Sequence, residues 1–263
     1  MPRLTHTIGD DGIATIVLTN PPQNRIDRQM ADELAAAVED VTRREARVVL
    51  LRADGPDFSF GGDIVDWPDL NGAELRALFE HYMSVFNAFE RLPVPVVAAV
   101  QGQCSGGGFE LALRADVILA GESAHFGHPE QTLGIVTLLG GIYRAAERAG
   151  RARAAEWALT SQPVPAHTMA NAGVVNRVLP DSTLLQEATA FAQKLAKGPT
   201  RAHTAHKALL RAWAAGGTAA ADEAMLDIAM PLFATEDAKA GLASAIAAFK
   251  AGTPRPELDF QGR

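Results

Sequence analysis

The chain has 263 residues, 48% of them hydrophobic and 21% charged, with a net charge of -7. That length can bury a large core without disulfides, and the single cysteine, Cys104, excludes an internal one. The acidic balance argues against a nucleic-acid partner, which needs a basic face. No apolar run approaches a membrane span, and the N-terminal residues lack the apolar segment of a signal peptide. The expectation is a soluble, cytoplasmic protein with neither a nucleic-acid nor a membrane partner.

Ile13 to Leu18 is rich in branched residues and predicts a strand, ended by Asn20-Pro21-Pro22. A helix is expected from about Arg28 to Arg44, with Met30, Leu34, Val38 and Val41 on one face. Val48 to Leu51 reads as a second strand, closed by Asp54-Gly55-Pro56. Ala73 to Arg91 places Leu75, Leu78, Phe79, Tyr82, Val85, Phe86 and Phe89 at helical spacing. Val94 to Val100 and Val117 to Leu119 are further strands. Another is expected over Val174, Val175 and Val178, after a helix stopped by Gly173. Strand and helix thus alternate, the pattern of an α/β unit with parallel strands. Beyond Pro180 only helices are expected: Thr183–Ala196, Arg201–Ala215, Ala219–Phe233 and Ala238–Lys250, broken at Lys197-Gly198-Pro199 and Gly216-Gly217. An alanine-rich tail of this kind packs on the core or on a partner subunit.

The chemistry-bearing residues cluster between Gln101 and Glu130. Gly106-Gly107-Gly108 lies just ahead of a predicted helix start, where free N–H groups and the helix dipole favour a developing negative charge. A tight turn with close helix–sheet packing explains the triplet equally well, and its spacing is not a dinucleotide fingerprint. A second glycine site, Phe58-Ser-Phe-Gly61-Gly62-Asp63, follows the Val48–Leu51 strand. Taken alone it reads first as a strand-to-helix turn. An N–H from each site aimed at one oxygen would make an oxyanion hole. Glu110 stands in the apolar stretch Phe109-Glu-Leu-Ala-Leu113, which implies burial and a raised pKa. Glu130, in His128-Pro129-Glu130, reads by itself as a solvated or capping carboxylate. Asp116 and Glu122 look structural or exposed. No Cys/His cluster has metal-ligand spacing, so no metal is expected. Ser105 with His128 as base is a serine-hydrolase alternative, although Gly102-Gln-Cys-Ser-Gly106 is not a nucleophile elbow.

Taken together, five segments resemble the crotonase (enoyl-CoA hydratase/isomerase) superfamily. They are Phe58-Ser-Phe-Gly-Gly-Asp-Ile64, Pro95-Val-Val-Ala-Ala-Val-Gln-Gly102, Gly106-Gly-Gly-Phe-Glu-Leu-Ala112, Ala115-Asp-Val-Ile-Leu-Ala120 and Phe126-Gly-His-Pro-Glu-Gln-Thr-Leu-Gly134. Leu159-Thr160, Ala172-Gly-Val-Val-Asn-Arg-Val178 and Phe249-Lys250 fit as well, so the likeness spans about residues 10 to 250. The resemblance implies an α/β fold, a crotonase-like spiral of ββα turns with a C-terminal helical region. The core would take residues 1–195 and a trimerisation region residues 196–263, in a homotrimer or dimer of trimers. It implies an acyl-CoA thioester substrate, with coenzyme A part of the substrate and no separate cofactor.

By position, the resemblance makes Gly62 and Gly107 the oxyanion-hole donors and Glu110 and Glu130 the two catalytic carboxylates of a hydratase. Pro22, Gln23, Asn24, Arg25 and Ile26 match the segment that runs along CoA, and Phe249 and Lys250 match residues reaching CoA from a neighbouring subunit. Asp63, Ile64, Trp67 and Leu138 complete the expected substrate-binding set, with Val65, Leu70 and Leu139 as further candidates for the acyl pocket. Three features depart from the family's hydratases. Thr137 and Leu138 replace a proline and a glycine over the water site, His128 replaces glutamine, and Arg25 replaces a small residue. An isomerase, thioesterase or lyase of the same superfamily, or a silent CoA-ester binder, are the alternatives.

Overall fold

In the computed structural model, which describes residues 1–263, the branched run Ile13–Leu18 forms β2. It pairs antiparallel with β1, Leu4–Ile8. The sequence reading missed β1 because this edge strand alternates Thr-His-Thr and buries only Leu4. The chain continues through α1, Arg28–Arg43, and β3, Val48–Ala53. Next come α2, Gly72–Glu90, and β4, Val96–Val100. The main sheet orders its strands β1-β2-β3-β4-β6-β9, parallel from β2 onward, with β6 at Val117–Gly121 and β9 at Arg177–Leu179.

A second sheet, β5-β7-β8, is built from Gln103–Ser105, His125–Gly127 and Val164–Pro165. Each of its strands has three residues or fewer, too short for a period to register. Between β5 and β6 lies α3, Gly107–Ala112. After β7 come α4, Gly141–Ala149, and α5, Arg151–Thr160, then α6, Ala166–Asn171, after β8. The arginine- and alanine-rich α4 and α5 bury few side chains, which is why no apolar stripe announced them.

The strand expected over Val174 and Val175 is displaced. Both valines are buried, but their N–H groups donate to Met169 O and close α6, with Gly173 at φ 86, so pairing begins only at Arg177. The C-terminal helices are α7, Leu184–Ala196, α8, Thr200–Ala229, and α9, Glu236–Ala251. Gly216 and Gly217 leave helical geometry inside α8, so two arms meet at the expected break. The second arm stops before Phe233 because Pro231 turns Met230–Ala234 into a 3-10 helix.

The sheet is buried on both faces, as parallel strands require. Ile13, Val48, Leu50, Val97, Ala99 and Leu119 point to one side and pack on Leu184, Ala188, Ala192 and Ala196 of α7. Their alternates, including Ile16, Leu18, Val49, Leu51, Ala98 and Ile118, join α1, α2 and α3 in the larger core. Two single bridges, Ile26↔Gly62 and Ser59↔Cys104, carry the loop after β3 across to the second sheet. They bring the two glycine-rich segments together. No helix is long and apolar enough to cross a membrane.

Candidate active site

The bridge to Ile26 fixes how the Gly61-Gly62 turn presents its amides. Ile26 N–H donates to Gly61 O and Asp63 N–H donates to Ile26 O. A parallel ladder uses alternate groups, so the Gly62 N–H is turned to the opposite side, where no backbone acceptor meets it. Gly107 is the first residue of α3, and its N–H has no partner within the helix. The two amides are neighbours: a Cβ on Gly107 would lie 3.6 Å from Gly62 N. A side chain on Gly61, at φ 93, would come within 2.9 Å of Ser105 O and 3.1 Å of Gly107 N, so only glycine lets the strands approach this closely.

Both glycines open onto a cavity of about 360 Å³. Glu110 and Glu130 line the same cavity. Glu110 is one turn into α3 and 2% exposed. Its Oε1 accepts N–H groups from Leu139 and Gly141, each at 2.8 Å. Burial, and then the neighbouring Glu130 charge, push its pKa up to about 7 despite those two donors. Glu130 sits in a 3-10 helix, Pro129–Leu133, and burial raises its pKa too. Its reading as a solvated carboxylate is corrected: the 3-10 turn folds it inward, its Oε2 is sealed without a hydrogen bond, and its Oε1 is the oxygen near Gly106.

His128 is buried beside them, its ring 4.9 Å from that of Phe109. Burial lowers its pKa to about 4, so it is neutral near pH 7. Ser105 Oγ bonds to Gln103 rather than to His128, which removes the geometry of a Ser-His pair.

Of the other expected residues, Arg25, Ile26, Ile64, Trp67, Leu138 and Leu139 line the cavity. The Trp67 indole stands over Gly62, 3.0 Å from where a Cβ would be. Arg25 donates Nε–H to Gln23 Oε1 and contacts Gly62 O at 3.3 Å. Pro22, Gln23 and Asp63 lie outside the lining, and Asp63 Oδ1 accepts from Val65 N–H. Asn24 sits beneath the segment instead: buried, it donates to Asp54 O and Asp57 O and braces the turn. Val65 is 76% exposed, and Leu70 packs on the core, so neither contributes to the wall. Phe249 and Lys250, exposed on α9, are not part of the lining. Phe60, Phe79, Tyr82, Leu133 and Ile135 were missed. Phe79 and Tyr82 belong to the apolar stripe of α2, and Trp67 meets Phe79 edge-on at 5.0 Å.

Comparison with known proteins places the chain in a family. Residues 9–250 match the family model described as enoyl-CoA hydratase/isomerase. A Rhizobium meliloti protein named "Probable enoyl-CoA hydratase" is 34% identical over 257 residues, 94% of this chain and 96% of its own. A Mycobacterium bovis protein, "Probable enoyl-CoA hydratase echA8", is 30% identical over 88% of this chain and 90% of its own. The crystal structure of enoyl-CoA hydratase subunit I from Geobacillus kaustophilus superposes with a TM-score of 0.89 at 31% identity, covering 99% of this chain and 98% of that one. With nearly its whole length matched and the spiral architecture shared, the chain belongs to the enoyl-CoA hydratase/isomerase (crotonase) family.

Proposed function

We propose that the protein is an enoyl-CoA hydratase, adding water across the C2=C3 bond of a trans-2-enoyl-CoA. The observation that carries this is the presence of two buried carboxylates, Glu110 and Glu130, on the one cavity that Gly62 and Gly107 line. In this reading the two glycine N–H groups bind the thioester oxygen and hold the charge that develops as an enolate forms. Ionised Glu110, fixed by Leu139 and Gly141, takes a proton from water as the oxygen attacks C3. The two neighbouring carboxylates share one proton, and in the state that reacts it sits on Glu130, which delivers it to C2 while Glu110 takes one from water, so one water is added in full.

Arg25, Ile26 and the neighbouring Pro22–Asn24 turn would follow the CoA moiety, and Ile64, Trp67 and Leu138 the acyl chain. Phe249 and Lys250 would serve a neighbouring subunit's CoA in a homotrimer or dimer of trimers. Exposed Leu226, Met230, Phe233, Leu242 and Ile246 on the C-terminal helices supply an apolar surface for that assembly. The cytoplasm is the proposed compartment.

The test is loss of the conjugated enoyl-thioester absorbance with short and medium trans-2-enoyl-CoAs, for wild type, Glu110→Gln and Glu130→Gln. Hydration by the wild type, reduced roughly 10²–10⁴-fold in both variants, supports the reading. CoA-ester binding without hydration would overturn it in favour of isomerase, thioesterase or lyase chemistry.

A further inference from the structure

His128 and Glu130 are two buried polar side chains that face each other, with no other side chain bonded to either. His128 is 1% exposed and neither ring nitrogen has a hydrogen bond. Its Nδ1 lies 4.0 Å from Glu130 Oε2, which is also sealed and unbonded. The ring cannot drift away. Phe109 packs on it with the rings tilted by 36°, Gly141 stands so close that a Cβ would come within 2.6 Å of Cε1, and Ser161 Oγ donates to the His128 carbonyl at 2.8 Å. Two unsatisfied groups this close lower their joint cost if one donates to the other, and catalytic hydrogen bonds that are long in a free enzyme tighten when the site fills.

We infer that His128 is a positioning residue: as the neutral Nδ1–H tautomer it donates to Glu130 Oε2 and so confines the carboxylic proton of Glu130 to Oε1. Oε1 is the oxygen beside Gly106 on the cavity wall. The purpose of this arrangement rests on the hydratase reading, since only a proton on Oε1 faces C2 of the bound enoyl group. The opposite tautomer would present a bare Nδ1 lone pair, draw the proton onto Oε2 and aim it away from the substrate. The other titratable group packed against Glu130 is Glu110 on α3, with Arg114 one turn behind it. The start of α4 contributes the backbone of Gly141, and the turn after α5 contributes neutral Ser161.

The tautomer is read directly by NMR of the full chain labelled with heavy nitrogen in histidine, against His128→Gln to assign the signal. A protonated Nδ1 with an unprotonated Nε2 near pH 7 is expected. A protonated Nε2 with bare Nδ1 overturns the inference, whatever the enzyme turns over. Kinetics give the second reading. His128→Gln keeps an N–H donor and should hold kcat within about fivefold, whereas His128→Leu should lose roughly 10–100-fold in kcat with little change in KM. Loss of the donor also raises the Glu130 pKa, so the alkaline limb of the hydration profile should move to higher pH in His128→Leu and stay in place in His128→Gln. Equal kcat and an unmoved limb in His128→Leu would sink the idea. If wild type hydrates no enoyl-CoA while Nδ1 is protonated, the pairing stands and the hydratase assignment falls.

Discussion

Gly141 donates its N–H to Glu110 Oε1 at 2.8 Å and leaves no room for a side chain of its own. A Cβ there would lie 2.6 Å from His128 Cε1 and 2.8 Å from Glu110 Cγ. The backbone at this position makes the hydrogen bond, and glycine keeps the clearance that the candidate base needs. Gly141→Ala is expected to displace Glu110 by a fraction of an ångström and to lower kcat roughly 10²-fold, while CoA-product affinity changes by less than about threefold. Steady-state kinetics beside calorimetric binding check this. Equal losses in kcat and affinity would mean that the site as a whole had collapsed.

Glu110 is raised to about 7 by burial and by Glu130, and its proposed role needs the ionised form. That value holds with Glu130 ionised, so it marks loss of the pair's last proton, and activity should fall as pH rises through about 7. Stability falls over the same range. A carboxylate whose folded pKa lies above its unfolded value favours folding fully below the unfolded value, and that advantage is lost as pH rises through the folded one. Glu110→Gln keeps an acceptor for Leu139 and Gly141 without the charge. The variant should match wild type near pH 4.5 and exceed it by about 3 kcal/mol at pH 8. Urea unfolding at the two pH values measures the difference. A constant offset would show that Glu110 is not the group that titrates.

Leu138 and Trp67 bound the cavity from opposite segments, one in the loop before α4 and the other above Gly62. Each removes space that an acyl group could fill. Leu138→Gly and Trp67→Ala are expected to shift kcat/KM by roughly tenfold toward longer or branched enoyl-CoAs, in line with a few methylenes of added room. A competition assay with a chain-length series reads the shift. A uniform loss across the series would assign both residues to packing alone.

How much of this could be read from residues alone depends on range. Ile13–Leu18 and Val48–Leu51 are visible because a buried parallel strand is a continuous branched run, and α1 because its apolar face repeats. The glycine sites and Glu110 stand out because each breaks its local pattern. Glu130 and His128 do not, since their burial comes from a five-residue 3-10 turn packed against α5. Phe79 and Tyr82 were hidden for another reason. On α2 a residue facing the core and one facing a cavity share the same helical spacing, and only the Trp67 contact separates them. Asn24 looked like a ligand contact because it lies in a matching segment, but its partners, Asp54 O and Asp57 O, are thirty or more residues away.

Asp116, read from the sequence as structural or exposed, joins the C-terminal region to the sheet. Lys207 on α8 is 8% exposed, and its Nζ donates to Asp116 Oδ2 at 2.6 Å and to Val94 O at 2.8 Å. The same Asp116 oxygen accepts Val96 N–H at 2.7 Å, so the lysine clamps α8 against the start of β4. Burial lowers the lysine pKa while Asp116 opposes the shift. Asp116 is a third exposed, which weakens the ion pair by solvent screening. Lys207→Met keeps the stem's packing but strands Val94 O and removes the charge, and should destabilise the chain by about 2 kcal/mol. The site lies away from the cavity, so kcat should stay within about twofold. A double-mutant cycle with Asp116→Ala isolates the pair, and a coupling energy near zero would place the effect in packing of the lysine stem.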